Sequence, residues 1–249
     1  MNVVAREGNE NLEDRQRPAF FGGRGGVVFR GQKVRYCGRA GAERGYDSGV
    51  DDLILAWATY LDVLAVEAPW TRAALLPAGE LDIDGAQQQL RGALLPELVT
   101  WFGLHGGSGY TFDCAILPFC MALDLPGAVS NSVLIRDIWQ ESRVDCDIDP
   151  GGEVSQLAGS VVFNWPNEYL LIGTDGGGGG LFVDQRSGPE QGCVRWWDKV
   201  EADNSAEDVA AASLLQLIMD LAPAIRNRTP IAGWVPEVVD GALDWDVAD

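Results

Sequence analysis

The sequence predicts an α+β fold in which an antiparallel β-sheet is flanked by helices. Three observations carry that expectation. An apolar run with helical period begins near residue 48, two β-like runs are joined by five glycines at Gly176–Gly180, and an amphipathic run with capping residues before it lies near the C-terminus. Helices, then strands, then a helix is the order of an α+β domain rather than of an alternating parallel sheet.

Residues 1–49 hold ten glycines and no sustained period, and they read as a flexible Gly/Arg-rich extension. Residues 50–249 then read as one domain with a C-terminal strand tail. In SGVDDLILAWATYLDVLAVEA the apolar residues Leu53, Trp57, Tyr60, Leu61 and Leu64 form one helical stripe. After a loop punctuated by Pro69 and Pro77, IDGAQQQLRGALLPELVTWFGLHGG predicts a helix, a break, and a second helix opened by Pro96 and stopped by Gly106-Gly107. Leu95, Leu98, Val99 and Phe102 give that second helix its apolar face. From about 110 to 170 short apolar pieces alternate with loops and read mainly as strands, although SVLIRDIWQESR fits a helix equally well. EYLLIGTDGGGGGLFVDQR predicts a hairpin and GCVRWWDKV the next strand of a meander. Ser205 and Asp208 are expected to cap a helix with Val209, Leu214, Leu217, Ile218 and Leu221 inside, ending at Pro223. The tail TPIAGWVPEVVDGALDWDVAD alternates enough to add one or two edge strands.

Composition excludes several classes of function. The chain has 249 residues and is 47% hydrophobic, enough for a sizeable core, and its longest apolar runs are far short of a membrane span. The opening residues MNVVAREGNENLEDRQ carry acids and no apolar stretch, so a cytoplasmic location is expected. Five cysteines, at 37, 114, 120, 146 and 193, include no CxxC pair, which predicts reduced thiols and no cysteine-rich zinc site. The net charge is −19, and it is uneven: residues 1–49 hold nine bases and six acids, residues 50–249 nine bases and 31 acids. Such a surface repels nucleic-acid phosphates and anionic membranes, and it steers basic macromolecules toward itself. A basic protein partner is expected, without direct nucleic-acid or membrane binding.

No motif with catalytic spacing emerges, and neither a cofactor nor a metal is expected. The run Gly176–Gly180 lacks the Lys-Ser/Thr of a phosphate loop and is followed by the strand-like LFVD, so it reads as a hairpin connection. Asp145, Asp147 and Asp149 begin like a calcium loop, but Pro150 and Gln156 stand where Gly and Glu are needed. His105 is the only histidine and sits at a predicted helix end, where a cation would complement the dipole; a hydrolase built on it would use a cysteine such as Cys114 or Cys120, or carboxylates around it. Trp196 and Trp197 must point to opposite faces of their strand, which makes one of them a core residue and the other a candidate anchor rimmed by acids.

LLPELVTWFGLHGG, then NEYLLIGTDGGGGGLFVDQRSGPEQGCVRWWDKVEAD, then an amphipathic helix, resembles the SUKH superfamily, the Smi/Knr-type domain, over about residues 50–225. One departure is visible, since Gly179 and Gly180 fill a stretch where many members carry a second acid before the hairpin's hydrophobic strand. The resemblance implies an α+β fold without a catalytic site that acts by binding protein. Bacterial members are commonly immunity proteins that neutralise toxins, often nucleases, whereas fungal relatives are regulators, so a regulatory or scaffold role is the alternative. Asp175, Asp184, Trp196, Trp197 and Asp198, on and after the hairpin, are the expected partner-binding residues.

Overall fold

The computed structural model describes residues 46–109, 114–145, 157–160, 162, 165–199 and 209–248. Helix α1 (Tyr46–Glu67) buries Leu53, Trp57, Tyr60 and Leu64, a stripe stepping by three or four residues that makes one apolar face. Leu61 is only half-buried. A short helix α2 (Pro69–Ala74) follows where a loop was expected, because Pro69 occupies its first turn, where a missing N–H leaves nothing unpaired. Asp82 caps α3 (Ile83–Leu90) by accepting from the Gly85 amide, and Arg91 closes it in the left-handed conformation. Pro96 opens α4 (Pro96–Leu104), whose buried face is Leu98, Trp101 and Phe102; the fully buried Trp101 was not among the residues expected there.

The segment containing SVLIRDIWQ is a helix, α5 (Leu125–Asp145), the helical one of the two readings the sequence left open. The Asp124 carboxylate accepts from the Gly127 amide at 2.8 Å and starts it. Helix α6 begins later than expected, at Leu214, with Ser213 as its cap accepting from the Gln216 amide; it runs through Pro223 to Asn227. The expected Ser205/Asp208 cap lies outside the described residues, as does the 1–49 extension apart from 46–49, which start α1.

The sheet has five antiparallel strands in sequential order, β1 (Met121–Ala122), β2 (Tyr169–Thr174), β3 (Gly180–Asp184), β4 (Val194–Trp197) and β5 (Val209–Ala211). Val209 therefore belongs to an edge strand, not to the helix. Register pairs Leu171 with Phe182, Thr174 with Gly180, and Gly180 in turn with Trp197. Tyr169–Gly173 is buried throughout, as a central strand covered on both faces must be. Helix α5 lies against β2 and is backed by α3, while α1 packs on α4 and α6, and α6 reaches β5. The tail forms a separate two-stranded ribbon, β6 (Trp234–Val239) and β7 (Ala242–Val247), rather than extra strands on the sheet edge. Its β7 is held to α2, where the Thr71 hydroxyl accepts from the Leu243 amide at 2.7 Å, and the Trp245 indole donates to the Ala115 carbonyl. Among the described residues no helix is long and apolar enough to cross a membrane.

Candidate functional site

The hairpin that links β2 to β3 satisfies its own loop. Asp175 Oδ1 accepts from the amides of Gly177 and Gly179 at 2.7 and 2.8 Å, Thr174 Oγ1 accepts from Gly176, and the Lys199 ammonium donates to the Gly177 carbonyl. These amides point at the chain's own oxygens, so the run connects two strands and does not cradle a phosphate. Gly178 sits at φ 104°, and a Cβ on Gly180 would lie 2.2 Å from the Gly173 carbonyl oxygen. A side chain has no room at Gly180.

The five residues expected to meet a partner divide sharply. Asp184 is fully buried: its carboxylate pairs with Arg186 at 2.7 Å and accepts from the Gly159 amide. Trp197 is 2% exposed and lies against Trp139 and Trp165, at ring distances of 5.8 and 5.0 Å. Asp175 is half-buried, with one oxygen committed to the loop. Asp198 follows β4 and is half-buried. Trp196, on the other face of β4, is half-buried and reaches the surface.

The structure groups Trp196 with two aromatics that the sequence reading missed. Leu117 and Cys120 exchange backbone hydrogen bonds across a tight turn with Pro118 and Phe119 at its apex. Phe119 has φ 51°, a left-handed conformation strained for a bulky side chain, yet its ring is 40% exposed. That ring stacks flat on Trp234, 4.1 Å between centroids and 1° between planes, and Trp196 lies 5.8 Å from Trp234. The clue in the sequence was the LPFC turn, where Pro favours a turn whose next residue turns left-handed.

His105 does not act as a cation at a helix end. It is buried between Trp57 and Trp101, and burial pushes its pKa down to about 4. Nδ1 accepts from the Gly107 amide, and among the described residues Nε2 has no hydrogen-bond partner, so the imidazole is neutral and engages none of the described thiols. Cys114, Cys120 and Cys193 are buried thiols, and burial pushes the Cys120 pKa up, away from a reactive thiolate. Among the described residues no group of three His, Cys, Asp or Glu side chains is arranged to hold a metal. Cys37, Cys146 and most of the acidic stretch after Asp145 lie outside those residues.

On the Trp197 side of the sheet, a groove of about 460 Å³ runs between α5 and the hairpin. Leu134 and Ile138, one helical turn apart, form its outer wall and are 57% and 52% exposed. Leu171 and Trp197 also line it, and Lys199 is its single charged lining residue among the described residues.

No curated protein matches the chain. The model of the SMI1 / KNR4 family (SUKH-1) matches residues 77–220, a span from just before α3 to the middle of α6 that contains the whole five-stranded sheet. With more than half of its length matched and the α+β architecture in place, the chain belongs to the SMI1 / KNR4 family (SUKH-1).

Proposed function

We propose that this chain is a non-enzymatic binding module of the immunity type, which neutralises a basic, nuclease-type toxin by covering its cationic surface. Two features support the reading. Residues 77–220 contain 22 acids and only six bases, and three of those bases, Arg136, Arg186 and Arg195, are buried, so the exterior is more acidic than the composition suggests. A nuclease must present cations to phosphate, and an acidic exterior accelerates encounter with such a surface. The observation that carries most weight is Phe119: an exposed ring held on strained backbone, stacked on Trp234 beside Trp196. Strain of this kind persists only where the surroundings enforce it, and clustered aromatics are the usual anchors of protein interfaces; they also attract Arg and Lys through their faces.

The test begins with the protein that the chain retains from its native host at low salt. Purified, that partner should be basic, its nuclease activity should fall stoichiometrically on adding the chain, and binding should weaken steeply with NaCl. Phe119→Asn, which suits the left-handed backbone, should lower affinity roughly 30-fold, about 2 kcal/mol, while the melting temperature stays within a few degrees. A neutral or acidic partner, or an affinity indifferent to salt and to Phe119→Asn, would rule the proposal out.

A further inference from the structure

The groove between α5 and the hairpin has a chemistry opposite to that of the exterior. Among the described residues its walls are Leu134, Ile135, Ile138, Trp139, Leu171 and Trp197, no Asp or Glu lines it, and its one charge is the Lys199 ammonium at the hairpin end. Lys199 is the only lysine among the described residues of a chain with 37 acids. Its ammonium nevertheless donates to a neutral carbonyl, that of Gly177, and neither of the ion pairs found among the described residues, Asp184–Arg186 and Asp137–Arg136, involves it. An ammonium has three N–H donors and that carbonyl contact uses one, which leaves donors for an anion. The aliphatic walls cannot have arisen from solvation needs, since Leu134 and Ile138 stay more than half exposed one turn apart on the same helix face.

We propose that this groove binds a small amphipathic organic anion, with an aliphatic or aromatic body against Leu134, Ile138 and Trp197 and a carboxylate or sulfonate on Lys199. A volume of about 460 Å³ suits a ligand of that size. Burial of the body supplies most of the affinity, and the ammonium supplies the preference for an anion over a cation or a neutral molecule. A simple inorganic anion fails here because the net charge of −19 repels it and it has no body to bury. The site lies on the other face of β4 from Trp196, so it does not depend on the toxin-binding reading.

The full chain is titrated with 1-anilinonaphthalene-8-sulfonate and, separately, with its uncharged counterpart N-phenyl-1-naphthylamine, following the blue shift and rise of probe fluorescence. Both should bind one per chain, the sulfonate more tightly. Lys199→Met should weaken the sulfonate about tenfold and leave the neutral probe within twofold, and Lys199→Arg should restore the sulfonate. Ile138→Glu, on an already exposed position, should abolish both. An unchanged sulfonate affinity in Lys199→Met would overturn the charge pairing; binding that survives Ile138→Glu would place the probe elsewhere; no binding of either probe would dismiss the site.

Discussion

The neutral imidazole of His105 makes the stability of the chain depend on pH in a way that one residue can be held responsible for. Its pKa is about 4 in the folded protein and near 6.5 in an unfolded chain, so between those values the unfolded state binds more protons. Stability from this residue is complete above pH 6.5 and is lost as the pH falls toward 4, by about 3 kcal/mol in total. Chemical denaturation at pH 7, 5.5 and 4.5 should therefore show a larger acid loss in the native chain than in His105→Gln, and equal slopes would refute it. Asp184 offers a second residue-scale test, because the sequence could reveal that it was acidic but not that it was enclosed. Asp184→Asn leaves the Arg186 guanidinium buried without its counter-charge, and it should destabilise the fold by about 3 to 5 kcal/mol. Residual folded protein should keep its partner affinity, whereas a contact role would have lowered affinity directly.

At the scale of elements, the hairpin was readable because both of its signals are local: two alternating apolar runs and a glycine connection of the right length. Its glycines are also its weak point. Gly180→Ala would drive a Cβ to 2.2 Å from the Gly173 oxygen inside the β2–β3 ladder, so the two central strands must part; a loss of at least about 2 kcal/mol is expected in denaturant unfolding, against under 1 kcal/mol for the exposed Gly92→Ala, where nothing lies within 4 Å. Helix α5 was harder to read for a physical reason. Leu125, Ala128, Val129 and Ser132 are its buried side and obey the helical step, but Leu134 and Ile138 add apolar residues on the outer side, where they wall the groove. The very residues that make the groove blurred the period. Strand β5 was misread for the opposite reason, since the alanine-rich VAAAS favours a helix locally and only pairing of Val209 and Ala211 with Arg195 and Val194 makes it a strand. The aromatic platform was the least legible part, because Phe119, Trp196 and Trp234 are far apart in sequence and meet only through tertiary packing.

For the whole molecule, the family span explains the sheet but not everything attached to it. Helices α1 and α2 precede residue 77, the β6–β7 ribbon follows residue 220, and these two additions meet each other: the Trp70 amide donates to the Gly241 carbonyl, beside the Thr71–Leu243 contact. Trp234, which completes the aromatic platform, comes from the added ribbon, so the platform joins family residues to this chain's own extension. The acidic exterior spans both parts and sets a final expectation. A net charge of −19 repels itself in the compact state, and with three of the bases of residues 77–220 turned inward few attractive surface pairs among the described residues offset it. Raising NaCl from 0.01 to 0.15 M shortens the screening length from about 30 to about 8 Å, which weakens the many distant repulsions while leaving the buried Asp184–Arg186 pair largely intact. The melting temperature should rise by roughly 2 to 4 °C, about 1 kcal/mol for a domain of this size. A melting temperature that falls over the same range would mean that favourable surface pairs outweigh the repulsion, and the acidic exterior on which the proposed toxin capture rests would then be largely neutralised by the chain itself.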